Sequence, residues 1–264
     1  MTSRVRSLSI LAVMLQLAGC ASAQRTASRG ARQVRLGMAE QLAARGDWTA
    51  AFEAADALTR EDPSDTAARL VRGKALHHQG MLIEAAADVE RVVEAEPRNA
   101  AAHAELAVQC EELGKPDDAL VHHHEAHRLV PDDPRYSNNL AFALIVRRKP
   151  REAMPLLEQA LRAEPRAQRL RNNLGFAYAA AGDFVRSAKQ FELGGTSGEA
   201  RNNLGFAYER SGNLAQAFEL YVQAWKLEPT PRVRSNLEYV ARKLGRVIPP
   251  ELGTGAAKSE KGGS

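Results

Sequence analysis

Small and large apolar positions along the chain repeat with a long, even period. Ala39, Gly73, Ala107, Ala141, Gly175 and Gly205 form one series of small residues, and Ala51, Ala85, Ala119, Ala153, Ser187 and Ala217 form a second. A third series holds Leu42, Leu76, Cys110, Leu144, Tyr178 and Tyr208. Prolines keep the same beat at Pro63, Pro97, Pro131 and Pro165, each 34 residues after the last, and then at Pro229. Chance does not hold such series in phase, and self-similarity at this period predicts stacked helical hairpins. A small residue on each helix of a hairpin lets the two approach closely, while large residues fill the gaps between neighbouring hairpins. The periods tile as 32–65, 66–99, 100–133, 134–167, 168–197 and 198–231, followed by a shorter capping helix over 232–245.

Local signals agree with this frame. The first helix of most periods stops at a glycine, namely Gly46, Gly80, Gly114, Gly182 and Gly212, where a left-handed backbone costs little and the chain can reverse. Arg148 is the exception. Pro116 and Pro150 open second helices, where a missing amide hydrogen would have been unpaired anyway. The fifth period is four residues short, loses its proline and runs through Leu193-Gly194-Gly195-Thr196-Ser197-Gly198. This predicts a truncated second helix and a local change of twist.

The chain's beginning breaks the pattern. Arg4 and Arg6 precede an apolar run from Leu8 to Leu17, about half the length that crosses a bilayer as a helix. A basic segment followed by a short apolar one describes an export signal. Its end, Leu17-Ala18-Gly19-Cys20, resembles the bacterial lipobox. The resemblance implies a signal peptide over 1–19, acylation of Cys20 and firm membrane attachment, because each buried methylene of a lipid chain contributes about 0.8 kcal/mol. Within 20–31, the lipidated cysteine and its tether, the small-residue and polar stretch from Ala21 to Ala31 spans about 36 Å when extended, which predicts work close to the membrane. Ala21, rather than aspartate, after the cysteine points to the periplasmic face of the outer membrane. Residues 246–264 are Gly- and Lys-containing and read as a tail that buries no core.

Composition narrows the class. With 44% hydrophobic but only 5% aromatic residues and abundant Ala, Leu, Arg and Glu, the chain favours helix over sheet. Loss of Arg4 and Arg6 leaves 34 basic against 32 acidic residues of both signs interspersed, so nucleic acid is not an expected ligand. Cys110 is then the one thiol without lipid, so no internal disulfide forms and stability must come from packing.

The three phased series resemble the tetratricopeptide repeat, which implies an all-α, right-handed superhelical solenoid of about six helix-turn-helix repeats plus the capping helix. In that family the first helices line a concave groove, and residues six and nine places into each repeat point into it. Here these are Asn139 with Phe142, Asn173 with Phe176, and Asn203 with Phe206, within Asn-Asn-Leu-Ala-Phe-Ala and two copies of Asn-Asn-Leu-Gly-Phe-Ala-Tyr. Spaced carboxamides suit the main chain of an extended peptide, and phenylalanines suit its apolar side chains. The same residues equally suit bonding to the neighbouring hairpin and packing between helices. Arg135, Arg169 and Arg171 or Arg201 lie on this face, whereas Glu199 stands at an expected basic position, so the carboxylate-clamp set of the family is incomplete. A lipobox followed by such an array looks like the TadD-type pilus lipoproteins and the pilotins that escort secretins. The expected partner is therefore a protein or peptide client, such as a pilus or secretin subunit. The alternative is an adaptor for peptidoglycan enzymes or a periplasmic protease.

All seven histidines fall in the second and third repeats, and His123 and His127, one helical turn apart, are the candidate metal ligands of a histidine-rich surface. No acidic pattern completes such a site, and no cofactor is expected. Cys110 occupies a core position rather than a nucleophile's. Hydrolase triads, phosphate loops and His-Glu-x-x-His strings do not occur, which predicts a non-enzymatic scaffold.

Overall fold

A computed structural model describes residues 29–248. The expected signal peptide, Cys20, nearly all of the tether and most of the tail lie outside the described residues. Within them the chain is helical with no strand. Helices pair as hairpins: α1 (29–44) with α2 (Trp48–Glu61), α3 (Thr66–His78) with α4 (Leu82–Ala95), and α5 (Ala100–Glu112) with α6 (Pro116–Leu129). The next pairs are α7 (Pro134–Val146) with α8 (Pro150–Ala163), α9 (Gln168–Ala180) with α10 (Phe184–Gly194), and α11 (Ser197–Arg210) with α12 (Leu214–Leu227). A last helix, α13 (Pro231–Leu244), packs on α11 and α12. The expected all-α repeat architecture is what the chain adopts.

The turn between the helices of a hairpin is set by one residue. Gly46, Gly80, Gly114, Gly182 and Gly212 all have φ between 71° and 87°, and Arg148 takes the same left-handed conformation at φ 59° despite its side chain. Asp47, Asp65, Asn99, Asp133, Asp183 and Asn213 each accept a backbone N–H in the first turn of the following helix, satisfying a donor that the helix itself leaves free. The short fifth repeat ends in an 11-residue α10, where α2, α4, α6, α8 and α12 each have 14 residues. Thr196 then starts α11 through a reciprocal capping box with Glu199.

Contacts divide the chain into two units, with the boundary between His122 and His123 inside α6. In the first unit, Leu36, Ala39, Ala55, Leu58, Ala68 and Val71 form one core cluster, and Val89, Val92, Leu106, Cys110 and Ala119 belong to another. Buried charge joins α3 to its neighbours. Arg69 and Arg72 both reach Asp88, at 2.9 and 2.7 Å, and Arg72 also reaches Asp56 at 2.9 Å. In the second unit Phe191 packs with Ala179, Ala200 and Ala207, and Tyr221 with Phe218, Leu237 and Val240.

Candidate functional site

Consecutive first helices of the second unit are joined by a ladder of carboxamides. Asn173 Nδ2 donates to Asn138 Oδ1 at 2.9 Å, Asn203 Nδ2 to Asn172 Oδ1 at 3.4 Å, and Asn236 Nδ2 to Asn202 Oδ1 at 2.9 Å. The second asparagine of each pair therefore donates back to the first asparagine of the preceding repeat. In α13 a single Asn236 before Leu237 performs this step. Asn138 is engaged at both ends, because its amide also donates to Asn139, but the carboxamides of the later repeats each have an unused half. Asn172 and Asn202 keep their amide donors, and Asn203 keeps its carbonyl acceptor.

These unused groups meet at a half-open cleft of about 350 Å³ between α9, α11 and α13. Gln168, Asn172, Asn202 and Asn203 provide amides, Phe176 and Val233 an apolar wall, and Glu199, Glu228 and Arg232 charge. Glu199 Oε2 accepts from Thr196 N and Gln168 Nε2, and Glu228 Oε2 accepts from the Thr196 hydroxyl, which fixes both carboxylates at the rim. A wall of this kind, apolar with alternating donors and acceptors, matches an extended main chain with intervening side chains. A wider hollow at the α9–α10 turn offers less, because its Tyr178 hydroxyl bonds Glu158 and its Arg186 pairs with Asp183.

The three phenylalanines singled out by the repeat have different surroundings. Phe142 is 49% exposed. Phe176 stacks edge-on against Phe191 and Phe206, at 4.8 and 5.9 Å between ring centres, and Phe206 also packs on the Tyr221 cluster. Phe176 thus serves the core and the cleft at once. Asn139 accepts from Asn138 at 3.4 Å and lies one repeat away from the cleft. Of the arginines, Arg135 pairs with Asp133, Arg171 bonds the Pro165 carbonyl and Gln190, and Arg201 faces Glu192 at 3.4 Å. Arg169 is exposed and unpaired among the described residues. Repeat position alone did not mark Gln168, Glu228, Arg232 or the first asparagines as lining residues. For the asparagines the signal was the doubled Asn-Asn, whose two members have different duties; nothing in the repeat marked the other three.

Of the seven histidines, His103 and His123 are buried, His77, His122 and His127 half-buried, and His78 and His124 exposed. His123 is only 3% exposed, and half-buried His127 directs Nδ1 to the Ser137 hydroxyl at 3.3 Å, so the run on α6 is not simply a solvated face. Burial, with His124 nearby, lowers the His127 pKa. His77 is placed between Glu105 and Glu112, at 2.9 and 3.1 Å. Burial opposes its charged form, yet the bonds to the two carboxylates outweigh this and its pKa is raised. Among the described residues, no group of three or more His, Cys, Asp or Glu side chains is placed to hold a metal ion. Cys110 is buried, and that burial, followed by the Asp118 charge, pushes its thiol pKa up, away from nucleophilic character.

Known proteins extend this picture. The chain is similar in fold to pilF of Pseudomonas aeruginosa, with a TM-score of 0.63 and 16% identity over 80% of this chain and 97% of that one. It is also similar to PilW, described as a widely conserved type IV pilus biogenesis factor (TM-score 0.64, 16% identity, 78% and 98% covered). YrrB, described as a tetratricopeptide-type protein with an unusual peptide-binding site, matches with a TM-score of 0.57 and 19% identity over 71% and 99% of the two chains. No curated protein sequence matches significantly. Profiles of the tetratricopeptide repeat match residues 36–87, 82–134, 138–194 and 198–227. Since the first of these profiles alone covers more than half of the sequence, in the register of the observed hairpins, the chain belongs to the tetratricopeptide-repeat family.

Proposed function

We propose that this protein is a membrane-anchored, non-enzymatic scaffold whose second unit holds an extended segment of a protein client along α7, α9, α11 and α13. The observation that carries the reading is the cleft between α9, α11 and α13, where amides left over from the asparagine ladder surround the Phe176 ring. The client is a pilus or secretion subunit of the cell envelope. The fold likeness to a type IV pilus biogenesis factor and to a peptide-binding repeat protein supports this class, as does the lipobox-like start of the sequence. Anchoring would run through an acylated Cys20 to the periplasmic face of the outer membrane.

The test is affinity capture from gently crosslinked envelopes. Wild type is compared with Phe142→Ala/Arg232→Glu, two exposed positions whose change leaves the core intact, and with Cys20→Ser. Recovery of a pilus or secretion subunit that the double variant loses, together with release of Cys20→Ser from membranes, is the expected result. Recovery of peptidoglycan enzymes or a protease instead would replace the client class. Capture unaffected by the double change would overturn the site.

A further inference from the structure

A second interaction recurs through the repeats that the three phased series do not reveal. In four successive repeats the fourth residue of the frame reaches back to the carbonyl of the proline six positions earlier. Arg69 Nη2 bonds Pro63 O at 2.6 Å, His103 Nε2 faces Pro97 O at 3.1 Å, Ser137 Oγ donates to Pro131 O at 3.5 Å, and Arg171 Nη2 donates to Pro165 O at 2.6 Å. In three of the four the same residue also meets the second helix of its hairpin, 19 positions on. Arg69 meets Asp88 at 2.9 Å and Arg171 meets Gln190 at 3.2 Å. In the third repeat both members are imidazoles, and His103 Nδ1 lies 3.0 Å from His122 Nδ1. A permanent charge pair has been replaced there by two metal-ligating groups.

The Pro97 carbonyl can only accept, so in the neutral ring His103 Nε2 carries the proton and its Nδ1 is bare. That is how ligating histidines are commonly prepared, with one nitrogen tied to a backbone carbonyl and the other presented to the metal. His103 is 6% exposed and held in place, whereas His122 is half-buried and leaves room for solvent ligands. We propose that His103 and His122 form a two-nitrogen site for a divalent transition metal, copper(II) first. The ion replaces the hydrogen that the two Nδ1 atoms share. The Nδ1 proton of His122 leaves and its Nε2 takes one up from solvent, so the ring stays neutral, both Nδ1 lone pairs go to the metal, and no oxidation state changes. Metal–imidazole bonds of about 2.0–2.1 Å to nitrogens 3.0 Å apart enclose an angle of roughly 91–97°, closer to adjacent corners of a tetragonal site than to a tetrahedral one. Tetragonal nitrogen and oxygen coordination favours copper(II) or nickel(II), and among divalent ions copper(II) binds such donors most tightly. Water fills the remaining corners.

The experiment titrates copper(II) chloride into the full chain by calorimetry and records the electron paramagnetic resonance spectrum. The key variant is His103→Arg/His122→Asp, which installs the second repeat's own pair, Arg69 with Asp88, and so keeps the clasp while removing both donors. The expected result is saturable binding to wild type with a tetragonal, nitrogen-coordinated spectrum and no net release of protons from the two neutral rings. The double variant should bind at least tenfold more weakly at an unchanged melting temperature, and the exposed His124→Gln should bind like wild type. If the double variant fails to fold, His122→Gln replaces it with the same expectation. Absence of saturable binding to wild type, or equal binding by the donor-free variant, would overturn the proposal.

Discussion

At two close helix crossings a glycine faces a large buried ring. A Cβ on Gly175 would lie 2.6 Å from the Phe191 ring, and one on Gly205 would lie 2.9 Å from Tyr221; both rings are fully buried. Gly73 stands in the same relation to Val89, at 2.7 Å. Gly175→Ala should therefore lower stability by about 1–3 kcal/mol, the cost of pushing a packed ring aside, as read by chemical denaturation. An unchanged midpoint would mean that the ring moves freely. Arg148 presents the reverse case, an L side chain at φ 59° where the other hairpins have glycine. A left-handed residue is strained by about 1–2 kcal/mol, and glycine gives back part of this as unfolded-state entropy. Arg148→Gly should raise stability by about 0.5–1 kcal/mol, visible as a higher melting temperature. Both sites were legible in the sequence, because the sterics of a turn or crossing act on a single position. The rings opposite the glycines were not, since any bulky residue satisfies the helical pattern.

At the scale of the helices, titratable joints add a pH response. His77 on α3 bonds Glu105 and Glu112 on α5 and has a raised pKa. Its contribution to stability is complete below the unfolded value of about 6.5 and disappears as pH rises through the raised folded value. His127 on α6 has a lowered pKa, so its contribution is present above about 6.5 and is lost as pH falls through the lowered value. Melting curves should show His77→Gln costing more at mildly acidic than at alkaline pH, and His127→Gln the reverse. Parallel profiles for the two variants would refute the assignment. The asparagine ladder belongs to the same scale. The sequence showed which carboxamides recur, but their pairing depends on the stagger between neighbouring first helices, which only the packed structure supplies. Repeat spacing likewise did not show that Phe176 and Phe206 contact each other while Phe142 is left exposed.

For the molecule as a whole, the period alone was enough to read the architecture, because each hairpin contacts mainly its neighbours and every repeat restates the same packing problem. The candidate binding surface was harder to read. Its cleft uses Gln168 from one repeat, Glu199 and Glu228 from the next and Arg232 from the capping helix, residues that no common position in the repeat unites. α13 therefore has two duties, closing the core through Leu237 and Val240 and completing the cleft through Arg232 and Val233. The central claim is that this first-helix face of the second unit holds the client. It is tested most directly by placing a photoreactive amino acid at position 142, 232 or 223 and irradiating intact envelopes. Positions 142 and 232 lie on first helices and on the candidate face, while Gln223 is exposed on the second helix α12. Adducts with the same protein from 142 and 232 and none from 223 are the predicted result. Adducts from 223 alone would contradict the account and move the binding surface to the second helices.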